Sequence, residues 1–199
     1  MSIVNISISN ERALVCCDTA CQYGDDPNDR GHMSKMVILQ GMNGVLAYRG
    51  ERSMFEQIFV CVFFGREPES FDELVARMPK IIDAVSVSDL PDIDLTLELY
   101  VVAWSPSRGR MAGAAYVINA QGVLVDTQVD TWQCATSPEV PDDPDPAIDS
   151  PAAMRAHAEK QVAYGALEHG GLPIGGSLFL AEVMPGRIIV ASAGMLGQI

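Results

Sequence analysis

Basic residues are scarce in this chain. Its 199 residues include 13 Lys and Arg against 26 Asp and Glu, a formal net charge of −13. A phosphate-binding surface needs clustered positive charge, and so does binding to an anionic membrane, so we expect neither nucleic acid nor a membrane as a partner. Hydrophobic residues make up 48% of the chain, which is enough for a buried core. We therefore expect one domain over residues 1–199 rather than a disordered acidic segment.

Several diagnostic motifs are also absent. No apolar run approaches the ~20 residues of a membrane-spanning helix, and the N-terminal segment lacks the basic and apolar regions of a secretory signal. The five cysteines are odd in number and contain no CxxC pair, so we expect a reducing, cytoplasmic compartment and no metal site. No G-x-S-x-G, P-loop or G-x-G-x-x-G motif occurs, and no cofactor is expected.

Hydrophobic periodicity predicts strands and helices in separate groups along the chain. A capping-box pattern, Ser70 with Glu73, begins the second helix, which Pro79 is expected to bend or interrupt. Such segregation is typical of an α+β protein with mainly antiparallel sheets. The predicted elements are strands at 3–9, 13–17, 34–40 and 44–50, helices at 51–66 and 71–85, strands at 94–104 and within 110–127, a helix at 151–171 ended by Gly170 and Gly171, and a hairpin of 175–183 with 186–193.

An acidic, proline-rich segment separates the last strands from the last helix. Residues 137–150 hold four prolines and five acidic residues, which predicts an extended and solvated surface loop. A basic protein surface, if one is a partner, would meet the chain there. His157 and His169 in the helix that follows are expected on its surface, too far from His32 in sequence to indicate a metal site.

The first fifty residues carry a recognisable arrangement. The chain opens Ser2-Ile-Val, turns at residues 10–12, and ends its second strand in Asp18-Thr19, sixteen positions after Ser2; Lys35 follows on the next strand. This resembles the proteasome β-subunit-like N-terminal-nucleophile (Ntn) hydrolases, in a divergent and shortened form. Weaker similarities lie at 47–50 and 174–177. The resemblance implies a four-layer αββα sandwich of two antiparallel sheets with a reduced helical layer on one side.

The same resemblance implies a chemistry for these residues. After removal of Met1, Ser2 would be the nucleophile, with its own α-amine as the base, and Asp18 and Lys35 would support it. The backbone N–H at Gly50 would stabilise the oxyanion, and the substrate would be a peptide or another amide. If Met1 is retained, the Ser2 nitrogen is a peptide amide and cannot act as a base.

Two departures from the family pattern leave a second function open. Positions that carry a supporting Asp and Ser in the family fall on Gly171 and Ile174, and residues 131–139 with the acidic loop replace a helix and a turn. The alternative is a catalytically degenerate subunit that self-associates, as a structural part of a homo-oligomer or of a larger particle such as a phage virion. Asp18 and Lys35 would then be a structural ion pair. A small-molecule binding module ranks last, because no ligand signature supports it.

Overall fold

Two five-stranded antiparallel sheets are built from the alternating and continuous apolar runs. The computed structural model of the chain describes residues 2–22, 30–64, 66–86, 96–144, 146–168 and 174–196. The strands are β1 (Val4–Ile8), β2 (Ala13–Asp18), β3 (Ala20–Gln22), β4 (Arg30–His32), β5 (Met36–Leu39), β6 (Gly44–Gly50), β7 (Leu97–Ser105), β8 (Arg110–Ile118), β9 (Leu124–Val129), β10 (Cys134–Ser137), β11 (Gly176–Met184) and β12 (Arg187–Leu196).

The strand order separates the two sheets clearly. Sheet I has the order β10-β1-β2-β11-β12 and sheet II the order β5-β6-β7-β8-β9, while β3 and β4 form a small hairpin of their own. Every strand pair in the described residues is antiparallel. The predicted α+β class with antiparallel sheets is therefore confirmed.

Three α-helices accompany the sheets in the described residues: α1 (Arg52–Phe64), α2 (Phe71–Ser86) and α3 (Pro151–Glu168). The capping box of α2 forms, because Ser70 Oγ accepts the Glu73 N–H at 3.2 Å. Pro79 does not interrupt this helix, which continues through it to Ser86. None of the described helices is both long and apolar enough to cross a membrane.

Three apolar clusters hold these elements together. One lies between the sheets and includes Ile6, Val15 and Val102; a second packs α1 and α2 on sheet II; a third packs α3 on sheet I around Met154 and Ile174. Cys16 and Cys17 are buried in β2, as their apolar run predicts. Burying each large aliphatic side chain contributes about 1.5–3 kcal/mol, so these clusters supply most of the favourable free energy of folding.

Three short strands were not predicted. β3 and β4 lie at the two ends of the segment expected to be a plain loop at 22–31, and β10 lies within residues 131–139, for which no strand was predicted. β10 pairs with β1, with Ser137 opposite Val4. Each is three or four residues long, which is too short for periodicity to reveal. The helix end at Gly170–Gly171 and position Gly171 lie outside the described residues.

The acidic segment is only partly solvated, and the expectation that His157 is a surface residue is wrong. Val140 and Ile148 are buried, and His157 is 3% exposed. The His157 Nδ1 lies 3.2 Å from Asp143 Oδ2, which also accepts a 2.7 Å bond from Lys160 Nζ. Burial lowers the pKa of His157 below its ordinary value, although Asp143 acts in the opposite direction. The segment is thus tied down onto α3.

Replacing Pro79 by alanine is expected to stabilise the protein. Proline has no N–H to donate to the carbonyl four residues earlier, and it disfavours a helix interior by about 3 kcal/mol relative to alanine. The stiffer unfolded chain of the proline form offsets about 0.4–1 kcal/mol of this. Urea denaturation of Pro79→Ala should therefore show a higher midpoint, with the neighbouring exposed Lys80→Ala as the control. A midpoint at or below that of the wild type would contradict the expected gain.

Candidate functional site

The carboxylate of Asp18 organises the end of β2. The residue is fully buried. Its Oδ1 accepts the Ile3 N–H at 2.8 Å and the Lys35 ammonium at 2.7 Å, and its Oδ2 accepts the Gly175 N–H at 2.9 Å. These three donors satisfy the buried carboxylate by hydrogen bonding. Asp18 thereby connects the start of β1, the approach to β11 and the residue before β5.

Lys35 is the buried cation of this site. It is 3% exposed and lies immediately before β5. Its ammonium donates to Asp18 and, at 2.5 Å, to the carbonyl of Ala20. An ammonium has three N–H donors, so these two bonds leave one for a further acceptor. A buried ammonium is tolerated only when paired in this way, because taking a lone ion out of water costs several kcal/mol.

Ser2 lies directly beside this ion pair along the chain. Ile3 is bound to Asp18 twice, since the Asp18 N–H also donates to the Ile3 carbonyl at 3.4 Å. Ser2 therefore directly precedes Ile3, which Asp18 holds in place. This is the N-terminal end of β1, where Asp18 and Lys35 meet. Its side chain is partly exposed, as a reactive hydroxyl requires. The structure thus brings Asp18 into contact with Lys35 and with Ile3, the residue that follows Ser2.

Gly50 ends β6 in a conformation that only glycine accepts readily. Its φ is 104°, and a Cβ there would lie 1.9 Å from the Thr96 carbonyl oxygen. The strand end is joined to the ion pair, because the Lys35 carbonyl accepts the N–H of Tyr48, two residues before Gly50, at 3.0 Å. Gly50 therefore belongs to the strand that runs past Lys35.

A hydroxyl–imidazole contact next to the ion pair escaped the sequence analysis. Thr19 Oγ1 accepts the Ser177 N–H and lies 3.0 Å from His32 Nδ1. Gly176, with a φ of 74°, allows this contact, since a Cβ there would lie 2.8 Å from both the His32 ring and Thr19 Oγ1. No sequence signal pairs Thr19 with His32, because the hairpin β3-β4 that brings them together is too short to predict.

A cavity of about 500 Å³ opens beside the N-terminal end of β1. Arg49 there is paired with Glu98 at 3.0 Å and also donates to Ser137, the residue opposite Val4. Tyr100 donates to the other Glu98 oxygen at 2.8 Å, and burial raises the pKa of Tyr100 far above its ordinary value. The lining residues are Arg49, Glu98, Tyr100, Thr136, Ser137, Pro138, Glu139 and Tyr164. Nothing in the described part of the chain groups three or more His, Cys, Asp or Glu as a metal site.

Comparison with known proteins bears on the fold. No protein-family model matches the sequence, and no curated protein matches it. Solved structures do match: a Gly-1 mutant of Anbu from Hyphomicrobium sp. strain MC1 and Anbu, the ancestral beta-subunit, from Yersinia bercovieri. Both have a TM-score of 0.64. Each match covers 97% of this chain, and it covers 89% of the first solved chain and 88% of the second. The chain has the Anbu-like fold.

This finding corrects the family suggested by the first fifty residues. We expected a divergent and shortened member of the proteasome β-subunit-like Ntn hydrolases, and that assignment is wrong, because the structural neighbours are Anbu proteins. Anbu is proteasome-like, so the broad resemblance in fold stands. Sequence identity to the two structures is 10% and 12%, and this likeness shows the fold alone.

Breaking the buried ion pair should destabilise the protein strongly. Lys35→Met leaves the Asp18 carboxylate buried without its cation, and removing one partner of such a pair costs about 3–5 kcal/mol. Urea denaturation followed by tryptophan fluorescence measures the loss. The matched control is Lys160→Met, which breaks the exposed pair with Asp143 and should cost much less. Equal losses in the two variants would contradict the structural importance of Lys35.

Proposed function

We propose that this protein hydrolyses amide bonds with Ser2 as an N-terminal nucleophile, after removal of Met1. The observation that carries the proposal is the buried carboxylate of Asp18, which binds both the N–H of Ile3 and the ammonium of Lys35. A serine hydroxyl is a poor nucleophile until a base removes its proton, and a fixed cation beside the N-terminal residue would stabilise the oxyanion that remains.

In the proposed reaction, the free α-amine of Ser2 accepts the proton of its own Oγ. An α-amine has an ordinary pKa of about 7.7–8.0, so its neutral form is available near neutral pH. Oγ then attacks the substrate carbonyl carbon, and the amine proton is transferred to the leaving nitrogen as the C–N bond breaks. Water hydrolyses the resulting ester and regenerates Ser2. Asp18 orients the Lys35 ammonium, and the N–H at Gly50 stabilises the oxyanion.

The cavity beside β1 supports a peptide or other amide as substrate. Ser137 lines it and pairs with Val4, two residues from Ser2. Arg49 and Glu98 line the same cavity next to Gly50 on β6. These two connections support the cavity as the place where a substrate would approach Ser2 and Gly50. Its lining includes polar and charged side chains, which suits a peptide or other amide rather than a purely apolar ligand.

A serine-directed acylating probe tests the proposal. The wild type should form one covalent adduct, located on Ser2 by peptide mass spectrometry, and Ser2→Ala should abolish it. The matched control is Ser34→Ala, since Ser34 is exposed beside Lys35 and its hydroxyl contacts only the backbone of Met36, donating to the carbonyl and accepting the N–H. Ser34→Ala should react as the wild type does. An adduct that survives Ser2→Ala would contradict the assignment of the nucleophile.

A second candidate function is a non-catalytic structural subunit. It is favoured by Ile174, a buried aliphatic residue directly before Gly175, so no hydroxyl or carboxylate is offered at that position of the site. In this case Asp18 and Lys35 serve only the fold, and the protein acts in a homo-oligomer or in a larger particle such as a phage virion, within the cytoplasm or in the assembled particle. A wild type that never reacts with the probe but forms a defined assembly would support this candidate over the hydrolase.

Two architectural details belong with these proposals. We propose that the sheets and helices form a four-layer αββα sandwich with a reduced helical layer on the α3 side, in a single domain over residues 1–199. The three apolar clusters support that order of layers.

We also propose that a basic protein surface would bind at residues 137–150, where Glu139, Asp142 and Asp149 are exposed. Asp143 is less available to such a partner, because its carboxylate already contacts Lys160 and His157.

A further inference from the structure

Strand β12 is the open edge of sheet I. In the described part of the chain no strand pairs with its outer side, and sheet II lies over β1, β2 and β11. Ile189 and Val190 are 37% and 47% exposed, and Phe179 on β11 is 36% exposed. Val190 pairs with Ala181, whose side chain belongs to the core between the sheets. Paired residues project from the same face, so Val190 lies on the face of sheet I that is turned toward sheet II. Sheet II does not extend far enough to cover it.

The unoccupied part of this edge can be located by its backbone. Met184 pairs with Arg187 across a two-residue turn, and such a closing pair is hydrogen-bonded. Because hydrogen-bonded residues alternate along an antiparallel strand, the backbone groups of Ile188, Val190 and Ser192 then point outward. Farther along, Arg155 of α3 donates to the carbonyls of Ala193 and Met195. The free edge therefore spans residues 188–192.

The other sheet edges carry the usual protection against pairing. β5 and β10 are four residues long. β9 is longer but contains Asp126, and charged residues on an edge strand oppose the approach of another strand. β12 has ten residues, and its only charge is Arg187 at one end. Among the described edges, β12 alone is long, apolar and uncharged.

The symmetry of the exposed edge points to a second copy of this chain as the occupant, and its lack of acid limits the repulsion between two acidic molecules. Two molecules with a formal net charge of −13 repel each other, and the repulsion is smallest where the facing surfaces contain no acid. Residues 188–196 contain no charged side chain. The same strand is also self-complementary, because a twofold axis at Val190 would set Ile188 of each copy opposite Ser192 of the other. All three outward-pointing residues would then be paired in both copies.

We propose that two copies of this chain associate by antiparallel pairing of their β12 strands about a twofold axis at Val190. The pairing would extend sheet I into a continuous ten-stranded sheet and cover Val190 and Phe179 of both molecules. This interface lies on β12 and involves none of the residues proposed for catalysis, so it does not depend on whether Ser2 is a nucleophile.

Sedimentation velocity over a range of concentrations tests the association. The wild type should shift from 21.4 kDa toward twice that mass, and more readily at high salt, which screens the acidic repulsion. Val190→Lys sets two ammonium groups opposite each other and should raise the dissociation constant at least about tenfold. The control is Val125→Lys, an exposed valine on β9, which should associate as the wild type does. A wild type that stays at 21.4 kDa, or a Val190→Lys variant that associates equally well, would overturn the proposal.

Cross-linking tests the register independently. In a background with Cys61 and Cys134 replaced by serine, Val190→Cys places two thiols opposite each other at a Cα separation of about 5.5 Å, which a disulfide can bridge. Ser192→Cys in the same background places them about 13 Å apart along the strands. Oxidation should therefore give a cross-linked dimer for the first variant and not for the second. Equal cross-linking of both, or of neither, would overturn the proposed twofold axis.

Discussion

The structure depends on a carboxylate that cannot be left unsatisfied. Asp18 is fully buried, and an isolated buried charge would cost several kcal/mol, so its three donors are a condition of folding. Those donors come from Ile3, Lys35 and Gly175, which lie on three separate parts of the chain. One electrostatic requirement therefore fixes the start of sheet I, the beginning of sheet II and the entry to the closing hairpin. The candidate site is the place where these parts meet.

The distribution of charge divides the molecule into regions with different roles. The acidic excess that disfavours nucleic acid and membranes is partly concentrated in residues 137–150, yet that segment is anchored by Val140 and Ile148 and by the bonds from Asp143 to α3. The end of sheet I has the opposite character, because β12 presents an apolar edge almost without charge. The acid-rich surface and the surface proposed for association are thus separate parts of one acidic protein.

Long elements could be predicted from the sequence, because their patterns are local. β6 forms over residues 44–50 as the apolar run indicates, and α2 begins at the capping box of Ser70 and Glu73. The neighbourhood of Ser2, Asp18 and Lys35 could also be predicted, although their roles remain proposals. β10 and the contact of Thr19 with His32 could not, because each depends on a partner that only the folded topology brings near. His157 was misjudged for the same reason, since its partner Asp143 lies 14 residues earlier in the chain.

The central claim is that Ser2 is the free N-terminal residue and that Asp18 and Lys35 hold it in place. It is tested most directly by the intact mass of the protein, expressed without any N-terminal extension and purified in a form that reacts with the acylating probe. We expect the mass of residues 2–199, which means that Met1 has been removed and the Ser2 α-amine is available as a base. Probe-reactive protein that still carries Met1 would contradict the claim, because a peptide nitrogen at Ser2 cannot accept the proton.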